Sequence, residues 1–198
     1  MIEFNNLSQE EPFLIFKKKY KEAAMSGQQN IQAAAISSFN NKSKEVDCRF
    51  VNIKSISNNN FIFFSNYNSP KSIAFDTHNQ ISIVFYWSSI DFQIRIKGTI
   101  KRTTTKYNND YFKNRPENKN ALAISSNQSK KIESYKKVIL NYKNIEESSN
   151  LKKCPAFWGG FSFAPYYFEF WEGHESRINK RSSFEIIQGD WRRFFLEP

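Results

Sequence analysis

The chain is short of nearly everything from which self-contained catalytic machinery is built. It has two cysteines, Cys48 and Cys154, too few for a disulfide framework or a four-thiolate zinc site. Two histidines, His78 and His174, leave little for a histidine-based metal site or a serine–histidine–acid triad, and His174 beside Glu175 reads as an exposed loop pair. There is no glycine-rich phosphate loop, since "WGGF" (158–161) lacks the spacing that opens a helix on a phosphate. The N-terminal "MIEFNNLSQEEPF" has no basic start followed by a long apolar run, and no segment approaches membrane-spanning length. No internal repeat is present. These absences lead us to expect a cytoplasmic protein with no membrane partner, whose chemistry belongs to a cofactor.

What the chain does have is aromatic surface. With 20 Phe, 9 Tyr and 4 Trp in 198 residues, a single domain can bury a sizeable core. The net charge of +10 and pI near 9.5 suit nucleic acid, a membrane surface or small anionic ligands equally well. The lysines at 17–19, 130–131, 136–137 and 152–153 form no continuous track, and read as solvated faces.

The stretch "PFLIFKKKYKEAAMSG" places Phe13, Phe16, Tyr20 and Ala24 at helical spacing, with Pro12 near its start and Gly27 as a stop. From residue 31 the period changes. "IQAAAISSF", "DCRFVNIKSIS", "NFIFFSN", "ISIVFYWSS" and "FQIRIKGTIKRTT" read as five strands, with a hairpin turn at "SNNN" (57–60) and a short helix starting at Pro70 after Ser69. A helical interlude follows, "KYNNDYFKNRP" and then "QSKKIESYKKVILNYKNI", where Ile132, Tyr135, Val138, Ile139 and Tyr142 form one apolar face. Strands return as "WGGFSFA", "YYFEFWEG" and "SFEIIQGDWRRFFL". This order predicts a mainly β barrel with helices packed outside.

Cationic side chains stand where a ligand could lie. Arg49 and Lys54 are an odd number of residues apart, and point to opposite faces of a regular strand unless a bulge redirects one. Lys71 sits in the first turn of a helix, where backbone N–H groups and an ammonium together favour a phosphate.

Ten pieces in order carry a resemblance over essentially the whole chain: "PFLIFKKKYKEA", "RFVNIK", "FFSN" followed by "SPK", "ISIVFYW", "FQIRIKG", "YFKNRP", "SNQS", "FWGG", "EFWEG" with Arg177, Asn179 and Arg181 beyond it, and the terminal "LEP" after Trp191. The chain resembles the pyridoxine/pyridoxamine 5′-phosphate oxidase family. The resemblance implies one FMN-binding split-barrel domain over 1–198, with an N-terminal helical segment (1–28) and a helical insertion (105–146). It implies a homodimer with FMN at the interface, and a reaction in which hydride passes from the substrate's 4′ carbon to the flavin and O2 is reduced to H2O2, giving pyridoxal 5′-phosphate. Arg49, Lys54, Phe64 (usually tyrosine), Ser65, Lys71, Gln93, Gln128, Ser129, Trp171 and Arg181 match the FMN-contacting positions. Lys54, Tyr111, Arg115 and Lys119 match the holders of the substrate phosphate, and Arg177 and Asn179 the positions over the reacting ring. Trp171, Arg177, Asn179 and Arg181 are separated by even numbers, so a strand running through them would show all four on one side.

Four positions depart from the family pattern: Pro70 and Phe195 stand where arginine is usual, Lys119 where serine is, and Asn179 where histidine is. Two other readings remain at this point. One is a flavin-binding relative with another substrate or no oxidase activity. The other is a basic barrel that binds single-stranded nucleic acid through strand aromatics, against which stands the expectation that those aromatics fill the core.

Overall fold

The computed structural model describes residues 1–198. Strands β1 (Glu3–Asn5), β2 (Ala33–Asn40), β3 (Glu45–Asn52), β4 (Ser55–Ser57), β5 (Asn60–Asn66), β6 (Gln80–Trp87), β7 (Phe92–Arg102), β8 (Trp158–Glu172), β9 (Lys180–Ile187) and β10 (Asp190–Leu196) form one sheet. Helix α1 (Glu11–Met25) precedes β2, α2 (Pro70–Thr77) lies between β5 and β6, and α3 (Thr105–Asn114), α4 (Glu117–Ser125) and α5 (Tyr135–Ser148) fill the passage from β7 to β8. The sheet runs β1-β4-β5-β8-β7-β6-β2-β3, with β9 on β8 and β10 on β9. This is the expected split barrel, mainly β with peripheral helices.

Strand β8 organises it. Its first half pairs with β5, its second half with β9, and β7 runs beside nearly all of it. Lys97 pairs with Tyr167 but Gly98 with Pro165, so one residue of β8 is extra at this point. The bulge inverts the alternation: Phe161 and Phe163 are buried before it, Phe168 and Phe170 after it. It also gives Pro165 a place in a central strand, since a bulge asks for no ladder donor there. Two strands were expected where this one bent strand runs, because Pro165 and the change of parity look like a break.

At the bulge the backbones approach closely. A Cβ on Gly98 would run into the Ala164 carbonyl oxygen and the Phe163 ring, and a backbone atom cannot step aside as a side chain can. Gly98→Ala is expected to cost about 2–3 kcal/mol by overpacking, read as a fall in melting temperature of roughly 5–10 °C for a chain of this size. An unchanged melting temperature would show that the bulge relaxes freely.

Helix α1 is part of the core. Phe16 is fully buried and meets Phe61, Phe85 and Trp87 edge-on, and the Tyr20 hydroxyl accepts the Ile2 N–H at 2.7 Å. Ala23 takes the inward position expected of Ala24, which is exposed. Arg193 of β10 pairs with Glu11, and Trp191 packs on Phe13. A helix held this way is a plug for the barrel.

Three further differences from the sequence reading have local causes. "DCRFVNIKSIS" is two strands, β3 and β4, parted at buried Ile53 and at Lys54, which leaves six strands where five were expected. Helix α4 was not anticipated, since Pro116 reads as a stop and "ENKNALAIS" has little apolar period. Helix α5 starts at Tyr135, after Ile132, and none of its residues is buried, so the apolar face drawn over it is only half covered. The turn at 57–60 is as expected: Asn58 and Asn59 both take positive φ (45° and 68°) between β4 and β5, the conformation that a two-residue hairpin loop requires.

Candidate functional site

Two cation pockets lie on the side of the barrel where β5, α2, α3 and α4 meet. In the first, Lys71 is 3% exposed. The residue before α2 is Ser69, and the Lys71 ammonium donates to its hydroxyl at 3.1 Å; Ser69 also shares a hydrogen bond with Ser72. No carboxylate lies within ion-pair distance of Lys71. Its pKa is pushed down to about 8, by burial first and then by the charge of Arg49. Arg49 reaches this point from β3, where it sits opposite core Ile36 and pairs with Asp47.

The second pocket draws on three segments. Lys54 sits in the gap between β3 and β4, its backbone N–H donating to Ile62 and its carbonyl accepting from Glu3. That gap takes Lys54 off the strand that carries Arg49, so the alternation of one regular strand does not apply to the pair. Arg115 caps the C-terminus of α3, with its guanidinium over the Trp158 ring at 5.0 Å and within 3.4 Å of the Asn120 side-chain oxygen. Lys119 stands in the first turn of α4. The Lys54 pKa is lowered, by burial first and then by Lys119 and Arg115, so the three positive groups converge. None of the three forms an ion pair with a carboxylate. Tyr111, also from α3, stacks on Phe64 with ring centroids 3.7 Å apart, and Trp158 lies nearly parallel to both, 5.1 Å from Phe64 and 6.3 Å from Tyr111.

One cavity of about 240 Å³ opens beside the second pocket, lined among others by Phe64, Ser65, Arg115, Lys119, Gln128 and Trp158. Ser65 lies within 3.5 Å of the Gln128 side chain. Ser129, at φ 67°, is not among its lining and faces a separate cavity of about 440 Å³ between α4 and α5.

The remaining expected residues lie elsewhere in the chain. Gln93 pairs with Trp171 across β7 and β8, and Trp171 with Arg181 across β8 and β9, which puts the three in one row on one face. Phe64 pairs with Gly160 near the start of β8. Trp171 is eleven positions further on, roughly 35 Å at the rise of a strand.

Arg177 and Asn179 are not on the strand that was to carry them. Strand β8 ends at Glu172 and β9 begins at Lys180, and the loop between them folds on itself. Asn179 accepts the His174 N–H at 3.1 Å, Arg177 donates its N–H to the His174 carbonyl, and Arg177 takes φ 60°. Only Trp171 and Arg181 keep the expected common face; Arg177 is exposed at the loop tip beside them. Of the departures, Phe195 is 74% exposed on β10, and Pro70 opens α2.

Buried polar residues that the sequence reading did not single out hold these parts in place. Asn108 accepts from Thr103 and from the Gly160 N–H, and donates to the Tyr67 hydroxyl at 2.9 Å. Asn120 donates to the Phe112 and Leu151 carbonyls, both at 2.9 Å, and so fixes the α3–α4 corner that carries Arg115. Glu169 is 3% exposed between Arg95 and Arg181. An isolated Asn or Glu in a polar-rich sequence gives no sign of burial.

A split barrel in which Lys71 and the Lys54, Arg115 and Lys119 cluster, none of them paired with a carboxylate, stand beside stacked rings defines a class of protein suited to anionic, ring-bearing ligands. The comparisons agree. Residues 20–148 match the family model described as pyridoxamine 5′-phosphate oxidase, and residues 158–198 that described as the pyridoxine 5′-phosphate oxidase C-terminal dimerisation region. The pyridoxine/pyridoxamine 5′-phosphate oxidase of Leptospira biflexa is 31% identical over 190 residues, covering 95% of this chain and 89% of the relative. Among solved structures, PhzG from Burkholderia lata, in complex with tetrahydrophenazine-1-carboxylic acid, superposes with a TM-score of 0.89 at 21% identity over 96% of this chain and 93% of that one. A pyridoxamine 5′-phosphate oxidase-related, FMN-binding protein from Nostoc punctiforme gives 0.80 at 10% identity, covering 96% of this chain and all of that one. The chain belongs to the pyridoxine/pyridoxamine 5′-phosphate oxidase family. It is thereby placed among the oxidoreductases of vitamin B6 metabolism, and its C-terminal segment corresponds to the family's dimerisation region. No helix is long and apolar enough to cross a membrane.

Proposed function

We propose that the chain is an FMN-dependent oxidase that converts pyridoxine 5′-phosphate or pyridoxamine 5′-phosphate to pyridoxal 5′-phosphate with O2 as acceptor. The observation that carries this reading is the convergence of Lys54, Arg115 and Lys119 without a counter-ion, with Arg115 and Lys119 lining the cavity that also holds Phe64, Ser65 and Gln128. Uncompensated positive charge of this kind favours a phosphate. Bound FMN would supply the acceptor for the hydride leaving the substrate's 4′ carbon and, through O2, the route to H2O2.

The residues fit that cofactor. Lys71, buried without a carboxylate, and Arg49 suit the FMN phosphate, and they hold it with Pro70 in place of a further cation. Ser65 and Gln128 offer neutral hydrogen bonds beside it, and Phe64 keeps the ring of the usual tyrosine without its hydroxyl; Ser129 would follow from the next loop position. Gln93, Trp171 and Arg181 would complete the site from a second copy, because the length of β8 separates them from Ser65 and Lys71 within one chain. The matched dimerisation region supports that arrangement. Arg177 and Asn179 travel with this second set. Arg177 would close over a substrate whose phosphate Lys54, Tyr111, Arg115 and Lys119 hold, while Asn179 shapes the loop that presents it. The protein's contribution is then to stack and orient the reacting ring.

The purified protein is expected to be yellow and to carry one FMN per chain. On addition of pyridoxine 5′-phosphate in air it should form the aldehyde with one O2 consumed and one H2O2 released per turnover. A flavin-loaded protein that forms no aldehyde would overturn the oxidase reading and favour a relative with another substrate.

A further inference from the structure

Glu169 is the one fully interior carboxylate in the chain, and the mechanism above gives it no part. It lies on β8 between Arg95 of β7, its direct cross-strand partner, and Arg181 of β9. One carboxylate oxygen accepts from the Arg181 Nε and Nη2 at 3.2 and 2.9 Å. The other lies 3.2 Å from the Arg95 guanidinium and accepts the Tyr167 hydroxyl at 3.0 Å. The Glu197 carbonyl takes a third Arg181 donor, from Nη1, at 2.7 Å. Arg181 is thus gripped from both sides, and one N–H on each terminal nitrogen makes no hydrogen bond within the chain. Its cross-strand neighbour is Trp171.

Burying a carboxylate is costly unless it is paired and hydrogen-bonded. A structural ion pair would need one arginine; this carboxylate spans two, on strands either side of its own, and holds the more buried of them next to the row of Gln93 and Trp171. We propose that Glu169 is the positioning residue of this half-site, fixing the Arg181 guanidinium so that its two free N–H groups meet the flavin. The proposal rests on the reading that Arg181 contacts FMN. Without the carboxylate, Arg95 and Arg181 would face one another as like charges across β8, and Arg181 would turn away from the ligand.

The test is the FMN dissociation constant, read from quenching of flavin fluorescence on titration of apoprotein, with circular dichroism and melting temperature as the control for fold. Glu169→Gln should raise the constant about 10- to 30-fold. In an Arg181→Gln background the same change should leave the constant where Arg181→Gln alone puts it, because Glu169 acts through Arg181. A constant within twofold of the parent's, or losses that multiply in the double variant, overturns the proposal, whatever happens to the melting temperature. Should Glu169→Gln fail to fold, Glu169→Asp keeps the charge but withdraws it by one methylene. It should raise the constant several-fold, and no change there overturns the proposal equally. A parent that binds no FMN would overturn the underlying reading as well, whereas a binding parent with insensitive Glu169 variants sinks this inference alone.

Discussion

Replacing Lys71 by Met should raise the FMN dissociation constant about 100-fold while making the apoprotein more stable. The two effects have one source. Lys71 is 3% exposed and its ammonium has one neutral hydroxyl for a partner, so in the empty protein the charge is a burden, and the pKa of about 8 measures it. Folding holds this group's pKa below its unfolded value of 10.5. The penalty is therefore fully present below pH 8 and fades as pH rises toward 10.5. Met has nearly the same volume and no charge, so the apo variant should gain about 1–3 kcal/mol at neutral pH, and its lead over the parent should close between pH 8 and 10.5. Once a phosphate is bound the balance reverses: a charge-assisted hydrogen bond to an anion is worth about 1.5–3 kcal/mol, and the variant forfeits it. Thermal melts of both apoproteins across that pH range, with FMN titrations at neutral pH, check both halves. A variant that binds FMN as well as the parent would place the cofactor phosphate elsewhere.

Replacing Arg115 by Met should raise KM for pyridoxine 5′-phosphate about 100-fold and lower kcat less than threefold. Arg115 is the best fixed of the three cations that converge there, backed by Trp158 and braced by Asn120, and a planar guanidinium is the group suited to grip a phosphate with two donors. On the proposed reading it would contact a part of the substrate that does not react, so ground and transition states would lose the same binding and the cost would fall on KM. Lys54 and Lys119 remain, which bounds the loss. The lowered pKa of Lys54 adds a direction in pH: KM should rise as the solution passes upward through that pKa and the ammonium is lost. Steady-state kinetics with the phosphate ester decide it. An unchanged KM with a collapsed kcat would move Arg115 from the phosphate to the reacting end.

Much of this was legible before the structure. Hairpin turns and β-branched runs announced the barrel, and the "SPK" helix start announced an ammonium in the first turn of α2; that it is buried was not legible there. What escaped was set by packing over distance. The alternation that put Arg49 and Lys54 on opposite faces presumed one strand, and buried Ile53 divides it. The even spacing of Trp171, Arg177, Asn179 and Arg181 presumed that "GHES" keeps register, whereas Asn179 spends its side-chain oxygen on the His174 N–H and turns Arg177 into a left-handed loop. Pro165 looked like a strand end because nothing local shows that Gly98 will face it across a bulge. Glu169 passed unnoticed because its two arginine partners lie on other strands, the nearer in sequence being Arg181, 12 residues away.

The central claim is that the bound flavin takes a hydride from a phosphorylated B6 vitamer held by Lys54, Arg115 and Lys119. Anaerobic mixing of the FMN-loaded protein with saturating pyridoxine 5′-phosphate tests it most directly. The flavin absorption should bleach, and air should restore it with release of H2O2. A flavin spectrum that stays unchanged at saturating substrate would contradict the claim.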